Sequence, residues 1–194
     1  MFIISVFAFL FSSCTEDDSN NILNDPDYFP NTVGSYWVYE RYDSLAEKKD
    51  TVTVSITGDT LIYGDNYNVW NYIYSYRIDT LLVLQTNDSV IFYNPRIDRI
   101  TQIYIVPFET GDIWTNPDHN VDSSYVSDVL DLTIDGINYH DAVFIERNAH
   151  DWNDYLTENI WIKPGIGLIK LERTHFVFGP YKIESWFLIE KSIH

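Results

Sequence analysis

The residues best suited to do chemistry in this chain are aromatic. The stretch Val69-Trp-Asn-Tyr-Ile-Tyr-Ser-Tyr-Arg77 alternates rings with other side chains. Successive residues of a strand point to opposite faces, so Trp70, Tyr72, Tyr74 and Tyr76 fall in one row. Such a row can stack on sugar rings, since it offers apolar faces and phenolic hydroxyls at low entropic cost. It is equally good interior material, because a sandwich buries one face of each strand and an edge tyrosine buries its ring while its hydroxyl stays wet. Exposure of these rings to water separates the two readings.

Other chemistry finds weaker footing. The histidines, His119, His140, His150, His175 and His194, are scattered, and no pair brackets a carboxylate at a zinc-ligand spacing. Asp118-His-Asn-Val-Asp122 and Asp151-Trp-Asn-Asp154 are rich in oxygen, but neither has the spacing and closing Glu of a calcium loop. No Gly-x-Ser-x-Gly elbow supplies a nucleophile. Paired carboxylates such as Glu146 and Glu158 could serve glycoside hydrolysis only at the right separation in space, and among 29 acidic residues some pair always looks suitable. No catalytic residue, metal or cofactor is therefore expected.

A different kind of chemistry is written at the start of the chain. Met1-Phe-Ile-Ile-Ser-Val-Phe-Ala-Phe-Leu-Phe-Ser-Ser-Cys14 is an uncharged apolar run, two small residues and then the sole cysteine. As a helix the run reaches about 20 Å, short of a ~30 Å hydrocarbon core. A buried strand is opposed by the polar residues that follow at once, Asp17, Asp18, Asn20, Asn21, Asn24, Asp25 and Asp27. The order of pieces is that of a secretory signal, and Leu10-Phe-Ser-Ser-Cys14 resembles the lipobox of bacterial lipoproteins. That resemblance implies a signal peptide over residues 1–13, a lipid on Cys14, and a membrane held as partner through that lipid. Thr15-Glu-Asp-Asp18 resembles the signal that sends some lipoproteins to the outer face of the outer membrane; the bland alternative is a solvated linker. Residues 14–27 read as an acidic tether in an envelope protein, with the outer membrane as its expected location.

Composition agrees with that address. The formal charge is -17, so nucleic-acid phosphates and anionic headgroups repel the chain and nucleic acid is not an expected partner. One cysteine allows no internal disulfide. Stability must come from burial, for which six Trp, fifteen Tyr and eleven Phe supply the area.

The elements that position these residues are strands. Thr51-Val-Thr-Val-Ser-Ile-Thr57 alternates perfectly, with Val52, Val54 and Ile56 on one face. Similar runs cover Tyr36–Tyr42, Thr60–Tyr63, Tyr67–Arg77, Thr80–Gln85, Ser89–Tyr93, Thr101–Val106, Tyr125–Ile134, Ala142–Arg147, Thr157–Ile162, Gly167–Arg173 and Tyr181–Lys191. Short connections such as Thr57-Gly-Asp59, Thr86-Asn-Asp88 and Lys163-Pro-Gly165 predict successive hairpins. Ser44 to Lys49 predicts one helical turn. The class is all-β, with antiparallel meander sheets forming a sandwich or a strongly curved sheet.

Internal spacing predicts two similar halves of a β domain over 28–194, namely 28–105 and 106–194. Pro30, Gly34 and Trp37 recur at the same intervals as Pro107, Gly111 and Trp114, and Gly64-Asp-Asn-Tyr67 as Gly136-Ile-Asn-Tyr139. With Trp161-Ile-Lys-Pro-Gly-Ile-Gly-Leu168 and Glu184-Ser-Trp-Phe-Leu-Ile-Glu190, the stretch from Phe29-Pro30 to Trp37 resembles a recurrent domain of secreted bacterial lipoproteins. That resemblance implies an antiparallel β fold outside the cytoplasm and no reaction. Three functions follow as expectations: a non-catalytic binding or scaffold module for a glycan, peptide or partner protein; a carrier of a lipid-like ligand in a concave sheet; and an envelope hydrolase using paired carboxylates.

Overall fold

The computed structural model describes residues 27–177 and 179–194. The expected signal peptide over residues 1–13, Cys14 and all of the expected tether except Asp27 lie outside the described residues. The rest is all-β, a 12-stranded antiparallel sheet that curls into a nearly closed barrel. In chain order the strands are β1 Tyr36–Asp43, β2 Lys48–Ile62, β3 Asp65–Ile73, β4 Ile78–Gln85, β5 Ser89–Asn94 and β6 Arg99–Ile105. They continue as β7 Ile113–Thr115, β8 Val121–Ile134, β9 Ile137–His150, β10 Asp154–Lys163, β11 Gly167–Val177 and β12 Lys182–Ser192. Each strand pairs with its neighbour in the chain except β6 with β7, and β1 pairs with β12.

Alternation decides which face turns inward. Along β2, Val52, Val54 and Ile56 are buried while Thr51 and Thr57 are exposed, as a sheet with one solvated face requires. Two local expectations are corrected. Thr57-Gly-Asp59 is not a turn, because β2 runs straight through it and takes up Thr57, next to Gly58, as the extra residue of a bulge opposite β3. Ser44 to Glu47 forms the β1–β2 turn instead of a helical one, and Lys48 already belongs to β2.

At the seam, side chains replace the missing ladder. The Trp114 indole donates to the Ile103 carbonyl, and the Ile103 amide donates to Asn116 Oδ1 at 2.9 Å. Asn116 Nδ2 donates in turn to Asp122 Oδ1 and Ser124 Oγ. The edge groups of β6 thereby find partners that water would otherwise supply.

The chain approaches β1 and β7 in the same way. Gly34 and Gly111 each sit at φ +96°, a left-handed conformation that L side chains rarely adopt. Gly34 donates to the Ile56 carbonyl and Gly111 to the Val126 carbonyl, both at 2.9 Å. Trp37, like Trp114, is buried with its indole on a carbonyl, that of Ile166. The β2–β3 and β8–β9 hairpins turn through Tyr63-Gly64 and Asp135-Gly136, all four with positive φ, as type I′ turns do.

One end of the barrel is plugged by the chain before β1. Tyr28 and Phe29 are buried, Phe29 packs on Phe92 and Tyr104, and the Gly165 amide donates to the Asp27 carbonyl. Trp70 Nε1 donates to Asn31 Oδ1 at 2.7 Å, which ties this plug to β3.

Candidate functional site

Trp70, Tyr72 and Tyr74 of the aromatic row point into the barrel, where they form a wall and not an outer surface. Trp70 is 6% exposed and stacks on Trp37 with centroids 5.3 Å apart. Tyr72 and Tyr74 pack on Trp186 at 6.4 and 6.0 Å. The regular strand stops at Ile73, where Tyr74 N donates to the Arg77 carbonyl and reverses the chain. The expected strand Tyr67–Arg77 is thus cut short, and Tyr76 leaves the wall with 61% of its surface exposed. Arg41 and Arg77 both lie over the rings of Tyr74 and Tyr76, 4.8 to 5.7 Å from the centroids, which fixes this corner by cation–π attraction.

Trp70, Tyr72 and Tyr74 line an internal cavity of about 670 Å³. Small-molecule sites span roughly 300–1,000 Å³, so the space suits a ligand of one or two rings. It runs from Phe29 and Trp37 at the plugged end to Arg77 in the β3–β4 turn, Asp79 at the start of β4 and Arg96 in the β5–β6 turn. Trp186, packed against Tyr72 and Tyr74, and Tyr104 on β6 belong to the same lining.

Beside the cavity runs a belt of buried charge. Arg147 grips Asp122 through Nε and Nη2 at 2.8 and 2.6 Å and reaches Glu158 Oε2 at 2.9 Å. Glu158 Oε1 accepts from Arg173 Nε at 2.6 Å. Arg41 binds Asp50 with two parallel contacts, 2.8 and 2.9 Å, and lies 3.4 Å from Glu184. Glu184 is further held by Trp186 Nε1 and Lys182. Burial alone would raise the Glu158 carboxyl, but Arg173 and Arg147 outweigh it and hold the group below its ordinary value. At Glu184 burial is likewise overcome, by Arg173, the Trp186 indole and Lys182. Satisfied charges of this kind add little net stability, yet removing one partner strands the others. The belt therefore fixes side-chain positions more than it deepens the fold.

Sequence reasoning missed this belt, although its signal was present. Arg41 follows Trp37 and Tyr39 on one face, Glu158 precedes Ile160 and Ile162, and Glu184 precedes Trp186 and Leu188. Each is a charge in step with buried apolar residues, Arg41 near the C-terminal end of its strand and Glu158 and Glu184 near the N-terminal ends of theirs, which the antiparallel pairing brings to one end of the barrel. The paired-carboxylate example fares differently. Glu158 is buried in the belt, whereas Glu146 points outward from the neighbouring strand and takes the Tyr125 hydroxyl. The two do not face each other across a cleft, because an odd offset separates Glu146 from the inward Arg147. Among the described residues, no group of three or more His, Cys, Asp or Glu could hold a metal ion. His119 instead sits among Asp118, Asp122 and Asp154 at 3.5 to 3.6 Å, and His175 contacts Asp154 at 2.7 Å.

No family model matches the chain, and no curated protein matches it. Among solved structures, it is similar to a provisionally assigned lipoprotein from Parabacteroides distasonis, at 16% identity and a TM-score of 0.39, covering 87% of this chain and 100% of that one. A superposition at that score decides neither fold nor function.

Proposed function

We propose that the mature chain is a lipid-anchored cell-envelope protein that takes a small ring-bearing ligand, a glycan fragment foremost, into its barrel without catalysis. The observation that carries this reading is the cavity of about 670 Å³ walled by Trp70, Tyr72 and Tyr74. Aromatic faces suit the apolar faces of sugar rings, and a wall held by stacking and cation–π contacts is organised before the ligand arrives. The envelope address rests on the run ending at Cys14. The described residues begin at the plugged end, where Asp27 accepts from the Gly165 amide, and Arg77 and Arg96 lie at the other end of the cavity. The same reading takes 28–194 as one barrel of two like halves, 28–105 and 106–194, supported by the matched turns at Gly34 and Gly111.

A second reading, carriage of a lipid-like ligand, is favoured by the aliphatic part of the lining, which includes Val54, Leu81, Ile160, Ile162 and Leu171. Native mass spectrometry of the envelope-purified protein separates the two. A retained fatty or prenyl chain supports the second; an empty or sugar-bearing barrel supports the first. For the first, a soluble oligosaccharide panel is titrated against intrinsic tryptophan fluorescence. Quenching that Tyr74→Ala weakens by at least fivefold is expected, and no quenching by any member of the panel would remove the reading.

A further inference from the structure

We infer that the ligand of this cavity carries one negative charge on its ring, a carboxylate, received by Arg173 and Tyr72. The inference rests on the cavity reading above and specifies the ligand class. Arg173 sits on β11 inside the barrel with 33% of its side chain exposed, and it lines the cavity. Its Nε and Nη2 are 2.6 and 2.5 Å from one oxygen of Glu158. Its Nη1 lies 3.8 Å from Glu184 Oε2, beyond hydrogen-bond reach. A guanidinium offers five N–H donors, so the edge turned to the cavity has donors to spare. The belt behind it holds that edge in place.

Tyr72 supplies a second donor. Its ring lines the cavity, and among the described residues its hydroxyl has no hydrogen-bond partner. Burial holds the phenol well above its ordinary value, so the proton stays on the oxygen at any working pH. A ligand that only stacked would leave this hydroxyl and the Arg173 Nη1 unpaired when it displaced water, at a cost that a carboxylate removes.

The charge of the lining points the same way. Arg77, Arg96 and Arg173 face Asp79 and Glu158, one positive charge in excess in a chain of -17. Arg77 is matched by Asp79 at 2.8 Å. Glu158 is paired by Arg147 at 2.9 Å and Arg173 at 2.5 Å. Arg96 at the rim has no ion pair among the described residues, and it can draw an anion toward a mouth that the acidic surface otherwise repels. One excess charge fits a monoanion better than a phosphate dianion. The rings of Tyr72, Tyr74 and Trp186 beside Arg173 then hold the body of a uronic acid or of an aromatic acid, which share this chemistry.

Calorimetry with tryptophan fluorescence tests it, using methyl glucuronide against methyl glucoside and benzoate against benzamide. At least one acid is expected to bind about tenfold or more tightly than its neutral isostere, the worth of a charge-assisted hydrogen bond. The acid that does so identifies the source. Tyr72→Phe, which removes only the hydroxyl, is expected to lose roughly tenfold for the acid and little for the neutral partner. Arg96→Gln is expected to lose two- to threefold and to flatten the salt dependence, in line with a rim charge that steers. Arg173→Lys keeps the charge beside Glu158 and is expected to weaken the acid because the fork is lost. Equal binding of acids and neutral isosteres, or an unchanged acid affinity in Tyr72→Phe with native near-ultraviolet dichroism, would overturn the inference and leave the cavity reading standing. Inorganic phosphate binding as tightly as the ring acids would also overturn it. Silence from all four ring probes would overturn both.

Discussion

The two walls of the barrel solve the problem of an oversized interior in different ways. From β3 to β6 the inner face is filled with rings and aliphatic side chains, Trp70, Tyr72, Val83, Val90, Phe92 and Tyr104. From β8 to β12 the half of the inner face nearer the rim carries Asp122, Arg147, Glu158, Arg173 and Glu184 instead. Rings meet at edges and leave a space between them. Arginine and carboxylate side chains span distance and lock each other, at the cost of losing water. The cavity lies where the two kinds of wall face each other, so it has a stacking side and a charged side.

The largest expected effect breaks the charged wall. Arg147→Ala leaves Asp122 and Glu158 buried with a partner removed, and a loss of about 3–5 kcal/mol is expected. Urea denaturation at neutral pH measures it, and a loss under about 1 kcal/mol would mean that the belt is wetter than its burial implies.

Acid attacks the same wall without mutation. Glu158, Glu184, Asp43 and Asp50 are all held below their ordinary values, despite burial, by cationic partners: Arg173 and Arg147 at Glu158, Arg173 and Lys182 at Glu184, Lys182 at Asp43 and Arg41 at Asp50. A depressed carboxyl contributes stability that is complete above its unfolded value and is lost as the pH falls through the folded one. Stability is therefore expected to hold down to the ordinary values of 4.5 for Glu and 3.8 for Asp and to fall below them. Urea midpoints in an acid series check this, and Glu158→Gln is expected to make the fall shallower.

The seam comes next. Asn116→Ala removes the acceptor of the Ile103 amide and frees Asp122 and Ser124, so a loss of about 1–3 kcal/mol is expected. Hydrogen exchange locates it: faster exchange at Ile103 than at the β1–β12 ladder is the expected pattern. The smallest effect belongs to Tyr76, which shares the sequence row but not the wall. Tyr76→Ala is expected to change stability by less than about 1 kcal/mol, as surface substitutions do. A larger loss would mean that the aromatic wall extends past the turn.

Much of the fold was legible because period-two alternation is a local property. Val52, Val54 and Ile56 declare their face within seven residues, and the Gly-containing turns declare the hairpins. Gly58 misled because glycine marks a bulge as readily as a turn. The three-residue β7 was too short to show a period, and only Trp114 hinted at it. Of the candidate site, the row was legible and its environment was not. Alternation says that Trp70, Tyr72 and Tyr74 share a face, but whether that face meets water depends on how the other strands close around it.

The amino-acid order by itself therefore determined an antiparallel all-β chain, its negative charge, its aromatic row and the lipobox-like run at Cys14. Only tertiary structure decided that the meander closes β1 on β12 and that Trp70, Tyr72 and Tyr74 look inward while Tyr76 does not. It alone decided that charges from β1, β2, β8, β9, β10, β11 and β12, up to 143 positions apart in the Arg41–Glu184 contact, meet in one belt. The physical reason is range. Strand propensity and alternation act between near neighbours, whereas closure and ion pairing join residues whose proximity nothing local encodes.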